Sequence, residues 1–187
     1  MASSSTHRDE AFSSPRQVLI TGGARAGKSR FAQAMAEQGP YHKRLFVATA
    51  VACDQEMEKR IARHRRSRNG RWTTLEEPTD LPGHLPKKFL SAESLVLLDC
   101  IPTFVTNLLL TGISPAGIQK RMREILKVCR RPGLTCLFIS NEVGLGIVPD
   151  HPMGREFRDL LGLVNQQMAQ AVDEVYFLVA GLPMRVK

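Results

Sequence analysis

Short apolar runs recur along the chain at intervals too long for hairpins: Gln17–Thr21 (QVLIT), Arg44–Thr49 (RLFVAT), Leu95–Leu98 (LVLL), Leu134–Ser140 (LTCLFIS) and Val175–Ala180 (VYFLVA). Each is aliphatic or β-branched through its length and does not alternate with polar residues, the pattern of strands buried on both faces. Segments of helical spacing lie between them at Arg30–Gln38, Asp54–Arg66, Ile118–Cys129 and Arg155–Ala171. Strands alternating with helices predict an α/β fold, a mostly parallel sheet flanked by helices with right-handed crossovers. Residues 78–94 carry three prolines and little periodicity, so they read as a connecting loop with at most a short helix.

The first 16 residues (MASSSTHRDEAFSSPR) are rich in serine, lack apolar periodicity and read as a disordered leader. A single domain is expected over 17–187, since 187 residues suit one core better than two. No apolar run approaches the roughly 18 residues of a membrane span, so no transmembrane segment is expected. The four cysteines are widely spaced with no C-x-x-C pair, which argues against a zinc ribbon or a disulfide scaffold and fits a reducing, cytoplasmic location.

Charge departs from the ordinary. There are 26 Lys and Arg against 18 Asp and Glu, a net +8, which points to a polyanionic partner: nucleic acid, an anionic membrane or a phosphorylated small molecule. The excess is local. Lys59–Arg71 (KRIARHRRSRNGR) holds seven of the bases and no acid, and setting these aside leaves 19 bases against 18 acids.

Directly after the first predicted strand, Gly22-Gly23-Ala24-Arg25-Ala26-Gly27-Lys28-Ser29 matches G-x-x-x-x-G-K-[ST] and opens into a predicted helix. Glycines let consecutive backbone N–H groups wrap a phosphate, and the helix N-terminus adds its positive dipole end. In such a loop Lys28 reaches the β- and γ-phosphates and Ser29 ligates Mg²⁺. A second strand end usually supplies a carboxylate for the metal. Asp99, closing LVLLDC, holds that position and Glu142, after LFISN, is a second candidate. The competing role for Asp99 is a helix or turn cap, for which Thr103 and Asn107 are equally suited.

In the basic segment Met57, Ile61 and His64 recur at i, i+4 and i+7, which sets His64 on an inward face, with Arg60 and Arg68 four residues to either side. Three readings stay open from the residues alone. His64 is a satisfied core histidine; or the bases track a nucleic-acid backbone, although no aromatic is interleaved before Trp72; or a neutral His64 attacks a nucleotide phosphorus in an arginine-rich pocket.

GGARAGKSRFAQ, VATAVACDQEMEKRIARHRRSR, WTTLEEP, LLDCIPTFVTNLL, SNEVGLGIVP, GREFRDLLGLVNQQMAQAVDEV and AGLPMRVK together resemble the bifunctional adenosylcobinamide kinase / adenosylcobinamide-phosphate guanylyltransferase family, over residues 17–187. The resemblance implies a RecA-like P-loop NTPase fold, a homotrimer and two reactions. The first phosphorylates the aminopropanol hydroxyl of adenosylcobinamide from ATP or GTP. The second moves GMP from GTP onto that phosphate through a guanylyl–histidine intermediate. Carried over to this chain, Gly22–Ser29 hold the triphosphate with Lys28 catalytic, Val47-Ala48-Thr49 line the nucleotide, and His64 is the guanylylated residue. Arg65, Arg66 and Ser67 lie beside the nucleotide, Glu76 and Asp99 contact nucleotide or metal, and Ser29 and Asp99 hold Mg²⁺. The implied partners are adenosylcobinamide, GTP and ATP rather than nucleic acid. Some members carry two adjacent histidines where this chain has Arg63-His64, so a kinase lacking guanylyl transfer stays as the alternative, and a nucleic-acid-stimulated RecA-like ATPase as another.

Overall fold

A computed structural model describes residues 15–51, 55 and 70–187. In it the five apolar runs become the parallel centre of a seven-stranded sheet. The strands are β1 (Gln17–Gly22), β2 (Lys43–Ala48), β3 (Trp72–Glu76), β4 (Ser94–Asp99), β5 (Leu134–Ile139), β6 (Glu174–Val179) and β7 (Leu182–Arg185). Their spatial order is β3-β2-β4-β5-β1-β6-β7, all neighbours parallel except the terminal β6–β7 hairpin.

The helices are α1 (Lys28–Gln38), a single turn α2 (Leu81–His84), α3 (Ile101–Leu110), α4 (Pro115–Cys129) and α5 (Pro152–Ala171), with a 3₁₀ turn at Lys87–Phe89. Alternate residues of each strand serve opposite faces, as the two-residue period of a strand requires. Leu19, Leu45, Val47, Val96, Leu98 and Phe138 pack with α3, α4 and α5, whereas Val18, Ile20, Phe46, Leu95, Leu97 and Ile139 pack with α1. Two apolar layers on one sheet explain why the central runs show no alternation.

The expected helices Arg30–Gln38, Ile118–Cys129 and Arg155–Ala171 are present within α1, α4 and α5. The expected helix Asp54–Arg66 lies, apart from Gln55, outside the described residues. Three elements were not foreseen. The α3 run IPTFVTNLLL is apolar nearly all round because it is packed between sheet and α5, which hides its period. β3 is a polar edge strand and β7 an exposed one containing Pro183, and neither has the apolar run that marked the others.

Candidate active site at the carboxyl edge of the sheet

The parallel strands all end on one edge, where an α/β sheet collects its ligand-binding loops. Gly22 closes β1 at φ 143°, and a Cβ there would stand 2.5 Å from the Leu178 carbonyl oxygen of β6. Only glycine fits so close an approach. The chain then turns through Arg25 at φ 57° and Gly27 at φ 91° into α1. Gly27 stands at the N-cap with no side chain to occupy the first-turn N–H groups, and that turn carries no acid. The helix end is thereby left to an anion. The β6–β7 hairpin backs the loop, with Gly181 Cα 3.4 Å from where a Gly27 Cβ would be.

Lys28 is only 8% exposed. Its Nζ donates to the carbonyl oxygens of Gly22 (3.0 Å) and Gly23 (2.6 Å), which holds the ammonium inside the curl of the loop. Burial pushes its pKa below the ordinary 10.5, an effect partly offset by interaction with Cys100 and with the Asp99 carboxylate. A triphosphate would favour the charged form.

Ser29 Oγ donates to Asp99 Oδ2 at 2.9 Å, so hydroxyl and carboxylate converge from α1 and β4. In register across the sheet, Asp99 pairs with Ala48 and Ala48 with Glu76, which sets the two acids on one line at the strand ends. Glu76 is exposed, whereas its neighbour Glu77 is drawn into structure. Burial pushes the Glu77 carboxyl up, but the N–H groups of Asp80 and Thr79 and the adjacent His84 outweigh this and hold it below its ordinary value.

The Val47–Thr49 strand end divides by face. Val47 is wholly buried in the core, and Ala48 is half-buried at the edge. Thr49, also wholly buried, donates its hydroxyl to the Cys100 carbonyl (2.8 Å) and accepts from the Cys100 N–H (3.0 Å). Asn107 of α3 donates to the Thr49 carbonyl at 2.8 Å and to that of Pro78 at 3.1 Å, tying β2, β4 and the loop after β3 together. Asn107 and Thr49 thus brace the site, and Asp99 turns to Ser29 rather than capping α3.

Glu142 enters the same edge from β5. Its N–H donates to the Gly22 carbonyl at 3.1 Å, and it shares with Gly23–Ala26, Leu145 and Phe177–Ala180 a cleft of about 420 Å³. Asn165 of α5 fixes this strand end by accepting from Ser140 Oγ (2.6 Å) and donating to the Asn141 carbonyl (2.9 Å). Its sequence signal, GLVNQQ, was visible but gave no hint of its target. His64, Arg65, Arg66 and Ser67 lie outside the described residues.

Known proteins match this chain at two levels. The ATPase domain of G40P superposes with a TM-score of 0.52 at 13% identity, covering 88% of this chain and 69% of that one. An ATPase of a bacterial type III secretion system gives 0.61 at 8% identity, covering 91% and 56%. Both show the fold, a RecA-like P-loop architecture, and no more. By sequence, the bifunctional adenosylcobalamin biosynthesis protein CobU of Escherichia coli K12 is 36% identical over 182 residues, 91% of this chain and 99% of the relative. CobP of Pseudomonas aeruginosa PAO1 is 42% identical over 171 residues, 90% and 96%. The family described as cobinamide kinase / cobinamide phosphate guanyltransferase matches residues 18–186, and the chain belongs to that family of bifunctional enzymes.

Proposed function

We propose that Gly22–Ser29 hold the triphosphate of ATP or GTP while the aminopropanol hydroxyl of adenosylcobinamide is phosphorylated. His64 then carries GMP from GTP to the new phosphate, giving adenosylcobinamide-GDP and pyrophosphate. The observation that carries the reading is the convergence of Lys28, Ser29 and Asp99 at an anion-ready helix end. The Lys28 ammonium faces the charge that spreads over the transferring phosphoryl oxygens, and the loop N–H groups fix the group in place.

Hard oxygen donors suit Mg²⁺, and Ser29 Oγ and Asp99 Oδ2, 2.9 Å apart, are the pair that would hold it. Such an ion would be held by one carboxylate, the nucleotide phosphates and water. Bound there, the ion would neutralise phosphate charge during transfer.

Ala48 at the strand end, Glu76 beside it, and Arg65, Arg66 and Ser67 near His64 complete the nucleotide contacts in this reading, with the buried Val47 and Thr49 supplying packing and bracing behind them. A phosphoramidate at His64 keeps a high transfer potential, so the corrinoid phosphate can collect GMP after pyrophosphate has left. The enzyme works as a homotrimer in the cytoplasm. The thiols of Cys100, Cys129 and Cys136 are unpaired with one another, which suits a reducing compartment.

Labelling with GTP carrying phosphorus label at the α or the γ position tests the covalent step. Only the α-label remains attached, through an acid-labile and alkali-stable bond, and His64→Ala abolishes it. Label persisting in that variant moves the nucleophile elsewhere. Absence of label in the wild type favours the kinase-only reading, to which Arg63, in place of a second histidine, gives its support.

A further inference from the structure

We propose that Glu142 is the general base of the kinase step, taking the proton of the acceptor hydroxyl at the outer end of the phosphate loop. The inference rests on the P-loop holding the triphosphate. β5 lies between β1, which carries that loop, and β4, which carries Asp99, and Ile139 is in register with both Ile20 and Asp99. The next three residues, Ser140–Glu142, therefore leave the sheet between the phosphate cradle and the Ser29–Asp99 pair.

Their position is fixed from two sides. Ser140 N–H donates to the Ile20 carbonyl at 2.9 Å and Glu142 N–H to that of Gly22 at 3.1 Å, while Asn165 clamps Ser140 and Asn141 from α5. The Gly22 carbonyl also accepts from Lys28 Nζ, so one peptide oxygen joins the backbone of Glu142 to the ammonium that meets the terminal phosphates. The Glu142 side chain faces the open cleft beside Gly23–Ala26, and Asp99 is already directed at Ser29 on the inner side. Gly144 N–H donates to Glu142 Oε1 at 2.6 Å, which orients the carboxylate and presents Oε2 to the incoming alcohol.

In the step, the hydroxyl oxygen of the acceptor forms a bond to the γ-phosphorus while the bond from that phosphorus to the β,γ-bridging oxygen breaks. The hydroxyl proton passes to Glu142 Oε2, and the nucleoside diphosphate leaves with the bond electrons. Glu142 then returns the proton to solvent. The second reaction makes a different demand: its acceptor is a phosphate already ionised at neutral pH, so no proton need be removed.

The two reactions therefore respond differently to one substitution. Glu142→Gln lowers kcat for phosphorylation of adenosylcobinamide by about 100-fold or more, with KM for ATP little changed. Glu142→Asp restores part of the rate. Covalent labelling by α-labelled GTP, and transfer of that GMP to preformed adenosylcobinamide phosphate, stay within about threefold of wild type and certify that the variant is folded. Equal loss of both reactions, or a Gln variant that keeps wild-type kcat, overturns the assignment. Full kinase turnover in Lys28→Ala would instead remove the loop reading beneath it.

Discussion

At the scale of single residues, adjacent identical side chains in TLEEP take different work. Glu76 sits at the exposed strand end, whereas Glu77 closes the turn into α2 by accepting from Thr79 and Asp80, with His84 against its other oxygen. The motif pointed to Glu76 and gave Glu77 no role, because that role lies in the turn that follows β3 and in the approach of His84. Glu77 has a folded-state pKa below its ordinary 4.5, so the unfolded chain binds the proton more readily in the interval between. Its stabilisation is complete above about 4.5 and is lost as pH falls through the lower folded value. Glu77→Gln accordingly lowers Tm at pH 7, and thermal melts of the two proteins converge as the buffer is taken down through the lowered folded-state pKa of Glu77. Gly22 is the opposite case: the P-loop motif demanded glycine, and the contact with Leu178 adds a packing reason that no local pattern contains.

Among elements, the placing of β5 between β1 and β4 decides what the site contains. Five strands were legible as apolar runs, but their spatial order was not, since parallel neighbours are far apart in sequence and nothing local specifies which pair. The clamp from α5 depends on that order. Asn165→Ala removes its hydrogen bonds to Ser140 and Asn141, leaving buried groups short of partners at a cost of roughly 1–3 kcal/mol. Urea unfolding should show a lower midpoint with an unchanged slope. Kinase turnover should fall more than covalent guanylylation, because the clamp positions Glu142. A wild-type midpoint in this variant would remove the clamp from the account. The elements missed from sequence, α3, β3 and β7, share one cause: a run apolar on nearly every side in the first, and exposure at the sheet edges in the other two, weaken the contrast on which periodicity depends.

At the scale of the whole molecule, one segment after β5 shows aliphatic side chains to solvent. Leu145 is 82% exposed and Ile147 96%, with Val148 and Met153 close by in sequence. Such grouping exceeds the scattered exposure normal for a monomer, and a trimer contact would cover it. Light scattering on the full chain should give about 62 kDa, three times the 20.8 kDa subunit. Ile147→Asp should shift the mass toward the single subunit. A wild-type mass of one subunit would end the trimer proposal.

The sequence by itself determined the α/β class, the phosphate loop with Lys28 and Ser29, the strand-end acid Asp99, the concentration of positive charge around His64 and the family. Each of these is written in a local pattern: a run of apolar residues, a fixed motif, a cluster of bases. The tertiary structure alone decided which strand ends meet. It brought Ser29 to Asp99, closed β2 on β4 through Thr49 and Cys100, and brought Glu142 against Gly22. These contacts join residues from 51 to 120 positions apart, and what selects them is burial of both faces of one twisted sheet, a property of the assembled layers rather than of any segment.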